Sequence, residues 1–178
     1  EYTARRETSG VVGCRSCSPL TYVHECGGGL AAHLGRQEPA GDERGLTVIF
    51  DQLEHRQGWR YKMLLGAGNT GNITPFRSPD GIVWTQVTED PVISTNPDCP
   101  MSLHRAHDGR YVVYTRPEGG DRRVARVESW DFVHWSETRM VLEPGPLDPV
   151  QTQFYGLGST PYGGFEIGTL WAYHTAPE

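Results

Sequence analysis

Two aspartates stand beside prolines in stretches that lead into later parts of the chain, Asp98 in Asn96-Pro97-Asp98-Cys99-Pro100 and Asp148 in Asp148-Pro149-Val150. Two carboxyl groups facing one pocket can divide acid and base work between them: one gives a proton, the other attacks or activates water. Each residue also has a plainer reading. An aspartate between prolines caps turns, and a loop aspartate before proline is ordinarily a solvated turn residue. Gln153 follows five residues after Asp148 in the same stretch, and an amide there cannot deliver a proton. His104, Arg116, Gln153 and Tyr155 are the candidates for holding a polar ligand, because aromatic faces and side chains of fixed hydrogen-bond geometry do that work. Their structural alternatives are a strand histidine, an ion pair, an amide bonded to backbone and a core tyrosine.

Other chemistry-bearing residues are weaker candidates. Cys14-Arg15-Ser16-Cys17 with His24 and Cys26 has ligand types that zinc uses, but lacks a matching second pair. Zinc and a disulfide therefore rank below incidental thiols, and no metal or other cofactor is expected. Cys99 has no near partner in sequence and reads as a buried thiol. Glu128 ends a strand-like run, where pairing with an arginine is the expected role.

The elements that must position these residues are short strands. From Leu46 onward, runs such as Leu46 to Phe50, Tyr61 to Leu65, Ile82 to Val87, Tyr111 to Thr115, Arg123 to Val127 and Phe165 to Tyr173 are separated by Gly, Pro, Asn and Asp. No long amphipathic helix interrupts them, which predicts an all-β domain of antiparallel sheets. Residues 1–45 show neither alternation nor a helical apolar face and receive no fold, so the predicted domain is 46–178.

Within that domain the chain repeats itself. Ser78-Pro79-Asp80-Gly81-Ile82-Val83-Trp84 and Ser129-Trp130-Asp131-Phe132-Val133-His134-Trp135 keep serine, aspartate and tryptophan in one spacing, 51 residues apart. The preceding pairs Arg60-Tyr61 and Arg110-Tyr111 are offset by 50. A period of about 40 to 50 residues in a strand-rich chain is the size of one β-propeller blade. The serine and aspartate are expected to close the turn with their own side chains. Trp84 and Trp135 are expected to anchor the core between neighbouring sheets.

The Ser-x-Asp-Phe-Val-His-Trp unit resembles the outer hairpin of the five-bladed propeller glycosidases, glycoside hydrolase families 32, 43 and 68. The Ser-Pro-Asp-Gly-x-x-Trp form is similar to another version found there. Arg122-Arg123-Val124-Ala125-Arg126, Val141-Leu142-Glu143-Pro144, Phe154-Tyr155-Gly156 and Pro161-Tyr162-Gly163-Gly164 resemble family 32-like bacterial proteins in order and spacing, over about Leu46 to Thr175. The resemblance implies an incomplete five-bladed propeller of two to three four-stranded blades. It also implies carboxylates in the axial funnel, near the starts of the innermost strands, where Asp98 and Asp148 would act. A non-catalytic carbohydrate-binding or interaction propeller is the alternative, and Gln153 favours it. The sialidase Asp-box is a nearby competitor, but its usual form places one residue between aspartate and glycine, whereas Asp80 and Gly81 are adjacent.

Composition narrows the partners. The 178 residues carry 22 acidic against 16 basic side chains and a net charge of −6, with the basic residues scattered, so no cationic stripe could track a phosphate backbone. No apolar run approaches the ~18 residues that a membrane helix requires. The expected partner is a carbohydrate, not nucleic acid or a membrane; composition fixes neither compartment nor oligomeric state. The chain opens with Glu1-Tyr2 and has room for two full blades and part of a third, so a piece of a longer propeller is expected.

Overall fold

The computed structural model describes residues 43–67, 71–94, 102–117, 119 and 122–174. Asp98, Cys99 and the Cys14, Cys17, His24, Cys26 group lie outside them. The described residues form strands and turns, with no helix, in antiparallel sheets. The first sheet runs β1 (Glu43–Phe50), β2 (Tyr61–Ala67), β3 (Asn72–Ser78), β4 (Thr85–Gln86), with β5 (Ile93–Ser94) also pairing with β3. The second runs β6 (Ser102–Arg105), β7 (Tyr111–Thr115), β8 (Val124–Ser129), β9 (Arg139–Leu142). The third is the hairpin of β10 (Thr152–Tyr162) and β11 (Phe165–His174), reversed at Gly163-Gly164, both at positive φ as a tight two-residue turn requires. Apart from β5, the strands of each sheet follow chain order, and β6 touches both β1 and β10.

Two repeats of one hairpin shape the first two sheets. Ser78 Oγ accepts the N–H groups of Asp80 and Gly81 at 3.2 and 2.8 Å, while Asp80 Oδ1 accepts those of Ile82 and Val83 at 2.8 and 2.9 Å. Ser129 Oγ does the same for Asp131 and Phe132 at 3.3 and 2.9 Å, and Asp131 Oδ1 for Val133 and His134, both at 2.8 Å. The turn is thus closed by its own side chains, as the sequence predicts. It also explains why Ile82 to Val87 is not a six-residue strand: Asp80 holds the Ile82 and Val83 amides in the turn, both side chains are exposed, and only Thr85–Gln86 pairs.

At the fourth residue of the motif the copies differ in side chain but not in backbone. Gly81 sits at φ 78° and Phe132 at φ 68°, the same left-handed conformation, which a side chain enters at a cost of about 1–2 kcal/mol. Phe132 offsets that cost by burial. Its ring is fully covered, edge-on to Tyr111 at 5.2 Å and to Trp135 at 5.5 Å.

β3 was not legible as a strand because Pro75 lies in its middle. Pro75 pairs with Leu64 across β2, yet its carbonyl accepts the Val87 N–H at 2.9 Å, so its backbone polar edge faces the outer strand. The β2–β3 ladder therefore loses no donor. The outer strand is interrupted there instead. Paired residue numbers sum to 162 at β4 (Phe76 with Gln86) and 166 at β5 (Ile73 with Ile93), a slip of four.

Between the first two sheets, Ile49, Leu64, Ile73, Leu103, Val113 and Val127 build an apolar core with Phe132. Val112, Val124, Phe154 and Leu157 join the second sheet to the third. Trp84 and Trp135 were expected as core anchors. Both pack against a core while remaining partly buried, Trp84 against the cluster of Leu46, Met63 and Phe76, Trp135 against Phe132 of the first core.

A buried charge crosses the first seam. Asp51, just after β1, accepts Lys62 Nζ at 3.0 Å, the Tyr111 hydroxyl at 2.6 Å and Arg105 Nη1 at 2.9 Å. Lys62, completely buried, also donates to the Trp59 carbonyl at 2.7 Å and lies 3.1 Å from Glu54. Burial alone would raise the Asp51 carboxyl. The hydrogen bonds of Tyr111, Arg105 and Lys62 outweigh it and hold the group below its ordinary value.

Two measurements test these assignments. Asp51→Ala takes from the buried Lys62 the nearer of its two carboxylates, leaving it only Glu54 and the Trp59 carbonyl, and is expected to cost about 3–5 kcal/mol in denaturant unfolding, part of it recovered by adding Lys62→Met. A double variant no more stable than the single one would contradict this pairing. At position 132 the usual order inverts: Phe132→Ala and Phe132→Gly both lose the ring, at about 3–5 kcal/mol, but glycine is expected to be the more stable of the two by about 1 kcal/mol. An alanine variant at least as stable as the glycine one would remove the left-handed turn from this account.

Candidate functional site

At the seam between the second and third sheets, side chains from four strand ends converge. Ser102, opening β6, donates to the Ser159 carbonyl and accepts its N–H, both at 3.0 Å, and Phe154 N–H donates to the Arg122 carbonyl at 2.8 Å. These bonds set β10 beside the second sheet. Arg116 and Arg122 flank the link between β7 and β8, and Gln153 and Tyr155 lie at the start of β10. A register shift between Phe154 and Gly156 puts Tyr155 at a bulge, with the side chain 46% exposed.

Arg122 is the centre of the group. Its Nη1 donates to Gln153 Oε1 at 2.8 Å, and its guanidinium lies 5.3 Å from the Tyr155 ring centre and 5.5 Å from that of Tyr173. The two rings are 6.0 Å apart. Arg116, almost buried, reaches the Tyr155 carbonyl at 3.5 Å and lies 5.7 Å from its ring. Arg122 Nε is buried without a hydrogen-bond partner. The arrangement is cationic, flanked by half-exposed tyrosine faces, and suited to holding a polar ring against aromatic surface.

Three of the residues singled out from sequence, Arg116, Gln153 and Tyr155, therefore meet. His104 does not join them. It is buried beside Tyr114, with Nε2 3.5 Å from Glu166 and no hydrogen bond at either ring nitrogen. Glu166 accepts Arg126 Nη1 at 3.0 Å and a short bond from the Tyr114 hydroxyl. Asp148 lies in an exposed turn, where Oδ2 accepts the Gly145 N–H at 2.7 Å. Glu128 pairs with Arg126 at 2.7 Å and with Arg110. Sequence reasoning missed Arg122, Tyr173 and Glu166. Arg122 and Arg123 look alike as a doublet, and only the pairing of Arg123 with Glu143 at 3.1 Å separates them.

An open cleft of about 550 Å³ lies elsewhere, between β5 and β9, lined by Ile93, Pro117, Arg123, Thr138 and Met140. Its described lining contains none of the site candidates. Among the described residues, no group of three or more His, Cys, Asp or Glu side chains could hold a metal ion. No protein-family model, curated protein or solved structure matches the chain.

The His104 cluster has a pH signature. Burial holds the imidazole below its ordinary 6.5, with Glu166 opposing and Arg126 assisting. The folded chain thus binds fewer protons than the unfolded one just below that value, so stability is full above it and falls as pH drops. For Glu166, burial raises the carboxyl, but the Tyr114 hydrogen bond and the charges of Arg126 and His104 bring it below its ordinary 4.5, and its stabilisation is lost at still lower pH. The melting temperature is expected to fall between about pH 7 and about pH 5.5, and His104→Gln should flatten that slope. An unchanged slope in the variant would assign the effect to another group.

Proposed function

We propose that the chain is part of a glycoside hydrolase-like, five-bladed type propeller that takes a carbohydrate at the Arg116, Arg122, Gln153, Tyr155 and Tyr173 cluster. Three features support the propeller reading. Apart from β5, each sheet is laid down in chain order, the first strand of the second sheet touches the first strands of its neighbours, and the repeated hairpin recurs in the first two sheets. The cluster lies by the start of β10, the end of an innermost strand that would face the funnel. The observation that carries the carbohydrate reading is the pair of half-exposed tyrosine rings beside a guanidinium and an amide whose orientation is set by a hydrogen bond.

In the hydrolytic form of this reading, Asp98 and Asp148 are the two carboxylates, and no cofactor is required. The second reading, sugar binding without turnover, is favoured by Gln153. Its carbonyl is committed to Arg122 at 2.8 Å, and it has no proton to give.

One set of measurements separates them. The full chain is assayed against a panel of nitrophenyl glycosides and oligosaccharides, with Asp98→Asn, Asp148→Asn and Tyr155→Ala beside it. Hydrolysis lowered about 100-fold or more by either aspartate variant, with the melting temperature unchanged, supports the enzyme. Saturable binding without turnover, weakened by Tyr155→Ala alone, supports the binding propeller. Absence of both binding and turnover across the panel defeats the carbohydrate reading.

A further inference from the structure

Five described arginines pair with described carboxylates: Arg56 with Glu54, Arg105 with Asp51, Arg110 with Asp108, Arg123 with Glu143 and Arg126 with Glu128. Arg122 differs. Among the described residues its polar partner is the neutral amide of Gln153, and its other neighbours are the Tyr155 and Tyr173 rings. The amide occupies Nη1, so the Nε and Nη2 edge is turned away from it, and Nε is buried without a partner. That edge of a guanidinium presents two parallel N–H groups with the spacing of a carboxylate. A buried cationic donor left unpaired is costly, and an anion is the partner that offsets the cost best.

We infer that the Nε and Nη2 edge of Arg122 seats a carboxylate carried by the bound sugar, so the ligand class is a uronate-containing carbohydrate. This rests on the carbohydrate reading of the cluster. The sugar ring lies on Tyr155 or Tyr173, 46% and 45% exposed, which flank the guanidinium. Because Nε is buried, seating the carboxylate requires one of these rings to move aside. Arg122 then bridges Gln153 and ligand, and Gln153 fixes the plane of the fork.

The test uses matched pairs of methyl uronosides and neutral methyl glycosides in the gluco, galacto and manno series, differing only in carboxylate against hydroxymethyl. They are titrated into the 178-residue chain by calorimetry. In at least one series the uronoside is expected to bind about tenfold more tightly. Arg122→Gln should lower the uronoside's affinity far more than the neutral glycoside's, so that the preference within the pair disappears. Arg122→Lys, which keeps charge without the fork, should retain a weaker preference that added salt removes. Arg123→Gln, at the exposed pair with Glu143, should change nothing. Equal affinities within every pair, or a preference that survives Arg122→Gln, overturns the inference while leaving carbohydrate binding intact. A 6-sulfated glycoside binding better than its uronoside overturns the carboxylate assignment. Failure of every glycoside to bind removes this inference and the carbohydrate reading together.

Discussion

The side chain of Asp51 is the constraint on which the relation of the first two sheets depends. A carboxylate 3% exposed is tolerable only if its oxygens are fully engaged, and its partners come from both sheets: Lys62 from β2, Arg105 from β6 and Tyr111 from β7. Apolar contacts between Leu64, Leu103 and Val113 would accept a range of sheet angles. The charged network does not, because a small rotation of one sheet against the other parts Asp51 from Arg105 and Tyr111. Directional bonds choose one arrangement from those the hydrophobic contacts permit.

The repeated hairpin makes the same division on a smaller scale. Serine and aspartate capture four backbone amides in each copy, and that is enough to impose a left-handed residue at the next position whatever its side chain. Gly81 accepts the conformation without strain. Phe132 accepts it because its ring fills the space between Tyr111 and Trp135. The turn motif is therefore older in the logic of the structure than the identity of its fourth residue. Its tryptophan packs against a core while remaining partly buried.

The second seam is built differently. Ser102 and Ser159 tie backbone to side chain, and the Tyr114, Arg126, Glu166 group supplies charge near the surface, where Glu166 remains about a quarter exposed. Around Arg122 the pairing is left incomplete among the described residues. Charges inside the first seam are matched to one another, and at the second seam a cation faces aromatic rings and an amide. The contrast between a closed network and an open one is what separates a structural charge cluster from a candidate binding site.

Much was determined by the sequence alone. Alternation and turn residues predict the strands at Leu46 to Phe50, Tyr61 to Leu65 and Tyr111 to Thr115, and the 51-residue repeat predicts two like hairpins, because both depend on local hydrogen bonding and side-chain periodicity. Arg116, Gln153 and Tyr155 could be singled out by type. Strand pairing was needed to show that Pro75 lies inside a strand, with its missing donor aimed at the outer edge. The same is true of His104 being drawn to Glu166 and of Arg122, rather than its neighbour Arg123, reaching Gln153. Those outcomes hinge on which residues of distant strands fall opposite each other. A one-residue change of register reverses every side chain to the other face, so no reading of neighbours along the chain could have decided them.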